Sequence, residues 1–489
     1  MGRKIIAATI GYTDPDTSPQ GNVLYVATEG LTTGAGDTPA NTWFQGKLSG
    51  DISYKWQVAA PFTRSRPVAG IGVLNLINDD GGLDSANAWD FRDGAVTLKM
   101  LDPGQDWSAG TTIATAIVES TGFDAGSNLR LVLRDTSSLL EQPISRTVYG
   151  EGEAAGLIHP LHLGIAYSIP PILTATAVDY WLYSATSVLI ASPDVVRDNG
   201  KSITFTDANG GFSLDAAPAG KLTCDYTSLD SDFETIIANT INKSEHTFTV
   251  DSASQTMVND LGYKYGWWVG TSVTIADVLY QICASHNGWY YINRSGDLAF
   301  GYLKAPESTA TVNFDTGDII EIVSHYADYA PGLSNRMGAV RNWEVLSLES
   351  IDPLAGSEED RIALSRTHQH NAYSTITLAD RYAHAESGDV MPSLFTGSTD
   401  ADNETDRLTG IFSINRTTII IDVALDMGKF DTIEIGDTVS VDAERLGIGS
   451  DLFDSGFSDG FLSHAPDNCL LLGIEGNFTQ NKMRLKLWN

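Results

Sequence analysis

The sequence predicts a mainly β protein, built of β-barrels and sandwiches with two or three short helices and divided into several domains. Three observations carry this. Gly, Pro, Asn or Asp interrupts the chain about every 8 to 12 residues, with short alternating apolar runs between, the rhythm of antiparallel sheets. The 10 Trp, 18 Tyr and 17 Phe favour the pleated, half-buried surface of strands, and 46 Gly supply its turns. At 489 residues, and with roughly 150 residues per domain, the chain holds three or four compact units.

Strand patterns are clearest at Ser202–Phe205, Gly211–Leu214, Ile411–Ile414, Thr418–Val423 and Met483–Trp488. Two helices stand out from this background. The first is predicted over Asp232–Asn242, with Ser231 and Glu234 as an S-x-x-E capping box and Phe233, Ile236, Ile237, Thr240 and Ile241 on one face. The second is predicted over Ile275–His286, capped by Thr274 and stopped by Asn287-Gly288, with Ile275, Val278, Leu279, Ile282 and Cys283 aligned. It leads into Trp289–Ile292, a turn at Arg294–Asp297 and a returning run Leu298–Leu303, which reads as a helix covering a hairpin. A weaker helical pattern lies at Leu378–Glu386, and Asp451–Phe461, where Phe453, Phe457 and Phe461 alternate with Asp, Ser and Gly, reads as a loop tip.

Charge narrows the function. With 62 acidic and 30 basic residues the formal net charge is −32, and no basic block offers a phosphate footprint, so sequence-reading nucleic-acid binding is disfavoured. A wall of this sign around a passage would keep DNA from adhering. The apolar run Ile5–Ile10 is too short for a secretory core, Ile6 stands where a myristoylation signal needs Ser or Thr, and no apolar stretch approaches a membrane span. Cys224, Cys283 and Cys469 are too few for a disulfide framework and read as small buried apolar residues, in keeping with folding in a reducing cytoplasm.

Chemistry-bearing motifs are sparse. Asn78–Asp84 groups carboxylates around Gly but lacks the EF-hand spacing, so it reads as a hairpin turn. Asp451, Asp454 and Asp459 read as an exposed loop, with a partner surface or an ion as the alternatives. His159 with His162, and His368 with His370, have pair spacings but no third ligand in order. The turn Gly34–Asp37 lacks the Lys-Ser/Thr of a phosphate cradle, and no G-x-S-x-G elbow or HExxH is present. Trp267-Trp268, after Tyr263 and Tyr265, reads as one buried and one interface residue, with a sugar platform as the alternative. No catalytic, cofactor or metal residue is assigned, and the chain is expected not to be an enzyme.

Several stretches in order resemble the hub or tail-tip proteins of long-tailed, siphovirus-like bacteriophages and of gene-transfer-agent-like particles. They are Leu24–Thr38 with its Thr33–Asp37 loop, Trp43–Gly50, Gly72–Leu76 running into Asn78–Asp84, and Asp93–Leu98. Val148–Gly150, Ile169–Leu173, Val196–Gly200 and Pro218–Asp225 follow, then Thr274–Leu303, Arg341–Trp343, Ile433–Val439, Leu472–Glu475 and Leu485–Trp488. Glu151 and Glu153 depart from the pattern, which commonly has a basic residue there, so no contact is carried over at Tyr149-Gly150.

The resemblance implies a homotrimeric virion structural protein, a baseplate hub at the tail tip in which two tube-like β-barrels per chain form a pseudo-sixfold ring around the DNA ejection channel. It implies tail tube, distal tail and central fibre or tip proteins as partners, DNA passing without sequence-specific binding, and no membrane anchor. Synthesis in the host bacterial cytoplasm goes with it. The expected domains are a first tube-like barrel over 1–140, a β-rich insertion over 141–228, an α+β domain over 229–325, and a second tube-like barrel with the C-terminal strands over 326–489. Two alternatives stand beside this reading: a receptor- or glycan-binding tail protein using Trp267, Trp268 and the Phe-rich loop, and a surface polysaccharide depolymerase using two of the many carboxylates.

Overall fold

The computed structural model describes residues 4–15, 21–49, 52–58, 68–124, 128–177, 180–184, 192–208, 211–227, 230–329, 334–375, 387–413, 416–442, 467–478 and 480–489. The chain forms two compact units, each gathered from separated stretches. Met1–Ser138, Tyr290–Tyr329 and Arg416–Asn489 make the first, and Leu139–Trp289 and Ala330–Asn415 the second. Residues 326–489 are divided between the two units. Strand pairing is the reason: Ser53–Gln57 hydrogen-bonds to the strand Asp467–Asn477, with Trp56 opposite Ile474.

The protein is mainly β, with sheets that curl into half-barrels. The first unit carries a six-stranded antiparallel sheet in the order Asn22–Ala27, Ile5–Tyr12, Ala95–Leu101, Thr111–Phe123, Leu129–Arg134, Val73–Leu76. Period-two alternation sets its faces, since Leu129, Leu131 and Leu133 are buried while Arg130 between them is exposed. Ile5, Ala7, Ala27, Phe44, Leu101 and Trp107 form a core cluster there. An eight-stranded sheet takes Val312–Phe314, Thr438–Val441, Asp467–Asn477, Lys482–Trp488, Arg416–Ala424 and Ile319–Tyr329 in that order, with Ser53–Gln57 joined to Asp467–Asn477 and Val68–Gly70 to Ser53–Gln57.

Six α-helices form among the described residues, more than the two or three expected: α1 Phe233–Ile241, α2 Ser252–Asn259, α3 Ile275–Ser285, α4 Glu358–Leu364, α5 Ser398–Ile411 and α6 Met427–Thr432. The first and third match the two predicted helices, and their predicted apolar faces are buried. The cap of α1 differs from expectation. Asp232, not Ser231, is the N-cap, and its carboxylate accepts the Thr235 N–H at 2.9 Å, while the Ser231 carbonyl accepts from the Tyr265 N–H. Asp232 is one position closer to the helix, where an acceptor meets the third helical N–H. In α3, Thr274 caps as predicted and Asp277 completes a capping box; Asn287, at φ +53°, ends it.

Helix α5 corrects a strand expectation, because Ile411 closes it rather than opening a strand Ile411–Ile414. Its sequence is mostly polar, and its inward stripe interrupts the apolar Ala401, Leu408 and Ile411 with Glu404 and Thr405, so its periodicity is hidden from hydrophobicity alone. Gly211–Leu214 forms the strand predicted for it, Thr418–Val423 lies within Arg416–Ala424 and Met483–Trp488 within Lys482–Trp488, whereas Ser202–Phe205 shortens to a strand Lys201–Ile203. Leu378–Glu386 and Asp451–Phe461 lie outside the described residues.

The second unit packs small sheets with α1 to α5. Its core joins Ala166, Ile169, Val196, Phe212, Leu222, Cys224 and Tyr226. Strands Leu161–Gly164 and Gly266–Val269 approach closely enough that a Cβ on Gly266 would lie 1.5 Å from the Ile165 carbonyl oxygen, which restricts that position to glycine. Asp232→Ala is expected to lower unfolding stability by about 1 kcal/mol in urea titration, as for loss of a carboxylate N-cap, with Ser231→Ala costing less.

Candidate functional site

The positions singled out in the sequence are mostly absorbed into packing. Asn78 is buried, donates from its side-chain amide to Asp84 at 2.8 Å and accepts the Leu83 N–H at 2.7 Å, while Asp80 pairs with Lys47 at 2.7 Å. The segment is not a hairpin turn. Strand Val73–Leu76 pairs with the distant Leu129–Arg134, and Asn78–Asp84 turns instead into a short 3-10 helix, Asp84–Ala88. Asp37, in the Gly34–Asp37 turn, accepts backbone N–H groups from Thr38, Trp107 and Ser108. Burial opposes its charge, but hydrogen bonds led by Ser108 outweigh that and hold the carboxyl below its ordinary range.

The histidine pairs separate. The His159 ring stacks on Tyr149 at 3.8 Å, whereas His162 is buried 4.5 Å from the Tyr226 ring, with neither ring nitrogen hydrogen-bonded among the described residues. His368 lies over Gly338, and His370 Nε2 meets Asp402 of α5 at 3.1 Å. Trp267 is buried and Trp268 half-buried, both against Trp343, on which the Arg341 guanidinium stacks at 4.2 Å. Tyr263 and Tyr265 are buried too, so these aromatics form packing rather than an open sugar platform. All three cysteines are buried thiols, and burial pushes those of Cys224 and Cys283 up. Among the described residues no group of three or more His, Cys, Asp or Glu is placed to hold a metal ion, and no helix is long and apolar enough to cross a membrane.

Buried charges among the described residues include Glu404 and Asp422. In the second unit, Glu404 of α5 is fully buried, forks to the Arg407 guanidinium at 2.7 Å and accepts from the Tyr263 hydroxyl at 3.1 Å. In the first unit, strand Lys482–Trp488 turns Met483, Leu485 and Leu487 into the core and Lys482, Arg484 and Lys486 to the opposite face. There Arg484 forks to the buried Asp422 at 2.7 and 3.0 Å, and Lys482 pairs with the same carboxylate. Lys55 meets Glu475 at 3.6 Å beside a depression of about 220 Å³ that Gln57, Arg484 and Lys486 also line. Burial works against the Asp422 charge, yet the hydrogen bonds from Arg484 and Lys482 keep its carboxyl below the ordinary value. The face carries charges of both signs in mutual contact; it can present a polar wall but pairs no nucleophile with a base. The alternation of its cations is legible in the sequence, whereas their acidic partners depend on strand register.

No family model matches the chain, and no curated protein matches it. Among solved structures it is similar to prophage tail protein gp18 from Listeria monocytogenes EGD-e, at 9% identity over 100% of this chain and 94% of that one, with a TM-score of 0.40. It is similar also to the 43 kDa tail protein of prophage MuSo2 from Shewanella oneidensis, at 10% identity over 99% and 98%, with a TM-score of 0.43. A chain of the virion of a native gene transfer agent particle matches at 10% identity over 72% and 92%, with a TM-score of 0.45.

Asp422→Ala removes the shared partner of Arg484 and Lys482, whose own side chains are partly exposed and can rehydrate, so it is expected to cost about 1.5–3 kcal/mol in urea titration, the worth of the lost charge-assisted hydrogen bonds. Burial lowers the His162 pKa from 6.5 to about 4, so its stabilising contribution is complete above pH 6.5 and falls away as pH drops towards 4. The loss over that window is roughly 3 kcal/mol. His162→Leu should flatten the melting temperature there.

Proposed function

We propose that the chain is a structural protein of a bacteriophage-type tail, a hub that forms a ring at the distal end of the tail tube and surrounds the path of DNA exit. The observation that carries the reading is the pair of curled sheets, six-stranded and eight-stranded, within one compact unit. Two tube-like elements per chain let three chains present six, the number that seats on a sixfold tube, which one element per chain in a trimer could not do. The ordered sequence pattern from Leu24 to Trp488 supports the same assignment.

The charge fits the role. A net charge of −32 repels phosphates, and the cations Lys482 and Arg484 are engaged by Asp422 rather than offered to a polyanion. In this reading the chain works by assembly rather than catalysis, with the tail tube and distal tail proteins on one side and a central fibre or tip protein on the other. Native mass spectrometry and electron microscopy of the purified chain test it: trimeric rings are expected, and a chain that stays monomeric at every concentration overturns the reading.

A further inference from the structure

The second unit carries two exposed surfaces whose chemistry is complementary. The first lies on a three-stranded sheet in which Ser334–Arg341 pairs antiparallel with His368–Thr375 and parallel with Ser387–Pro392. Arg336 stands directly opposite Tyr373 on one neighbour and Val390 on the other, so the three side chains share a face. It is the face turned away from α5. Asn335 and His370, on the opposite side, bond to Thr409 and Asp402 of that helix, and Met337, Ala339 and Ala372 are buried. Tyr373 is 72% exposed and Val390 is exposed beside it. Arg336 is exposed and makes no hydrogen bond or ion pair among the described residues. Tyrosine and arginine are, with tryptophan, the residues most enriched among interface anchors, and here both stand on regular strands whose backbone is already ordered.

The second surface is the segment Val345–Leu354. It is anchored from within, because Leu346 and Ile351 pack with Ala355 and Leu364 in a small core of their own. The Asn342 side chain ties its root to the Ala363 and Arg366 carbonyls. Outside that core Leu348 is 54% exposed, Leu354 is 75% exposed, and Val345 is exposed. Between them, in the 3-10 turn Leu348–Ser350, the Glu349 carboxylate is exposed and without an ion pair among the described residues.

We propose that Val345–Leu354 of one copy docks on the Arg336–Tyr373–Val390 face of a second copy, with Glu349 pairing to Arg336 and the leucines covering Tyr373. Charge complementarity selects this occupant. A free cation flanked by apolar groups seeks a free carboxylate flanked by apolar groups, and this chain supplies one on a preorganised segment. The two surfaces are different, so the contact is head-to-tail and generates a closed ring where the rotation closes. The inference rests on the ring reading and names the contact that would build the ring.

The test is the oligomeric state of the full chain against concentration, by mass photometry and sedimentation velocity, with circular dichroism and thermal melting as fold controls. Arg336→Glu should weaken association at least about tenfold, and Glu349→Arg alone should do the same. The charge-swapped double variant, Arg336→Glu with Glu349→Arg, should regain assembly. Tyr373→Ser changes an exposed side chain and should weaken assembly without affecting the fold, which keeps the test decisive if Arg336→Glu misfolds. Wild-type rings with undiminished assembly of Arg336→Glu and Tyr373→Ser overturn the contact while leaving the ring reading intact. Failure of the double variant to recover overturns Glu349 as the partner, and a monomeric wild type removes the ring reading itself.

Discussion

The first unit depends on the hydrogen-bonding demand of one strand. Asp467–Asn477 runs through the eight-stranded sheet with Cys469 to Leu472 and Ile474 buried, and backbone groups buried without partners cost about 1–3 kcal/mol each. One edge is satisfied by Lys482–Trp488. The other is too long for Thr438–Val441 alone, which pairs from Asp467 to Leu470, and Ser53–Gln57 takes over from Gly473 to Asn477. That second half-edge draws residues more than four hundred positions away into the same sheet. Arg294 adds a further tie within the unit: it donates to the Phe430 and Ile433 carbonyls at the end of α6, pairs with Glu434 at 2.8 Å and stacks on the Phe430 ring at 4.4 Å.

Buried charge follows the same logic of satisfaction. Asp422, Glu404 and Arg294 sit where an isolated charge would be strongly unfavourable, and each is held by two or more partners. His162 is the contrast, an imidazole held neutral by burial beside the Tyr226 ring with no hydrogen bond among the described residues, which makes it a point of acid sensitivity. The remaining acids are largely a surface property. They bear on what the molecule repels and on the few positions, such as Arg336, where an exposed cation is left for a partner.

The structure also places the aromatic residues. Trp267 and Trp268 read in the sequence as one buried and one interface residue, with a sugar platform as the alternative; Trp267 is buried, Trp268 is half-buried, and both rings pack against Trp343. Exposed aromatic and aliphatic surface lies instead at positions such as Trp43, Ile320, Tyr373, Leu348 and Leu354.

What the sequence by itself determined is local. The mainly β class follows from turn spacing and alternation, the strands at Gly211–Leu214 and Met483–Trp488 from period-two patterning, and α1 and α3 from apolar stripes that fold to bury the same residues. The opposed faces of Lys482, Arg484 and Lys486 against Met483, Leu485 and Leu487 are determined in the same way. Tertiary structure alone decided that 53–57 joins 467–477, that Asp422 meets Arg484, that polar α5 is a helix, and that Asn78–Asp84 is no hairpin. The physical reason is that backbone pairing and buried-charge satisfaction act between residues distant in the chain. Periodicity reports which face of an element turns inward, but not which element it will meet there.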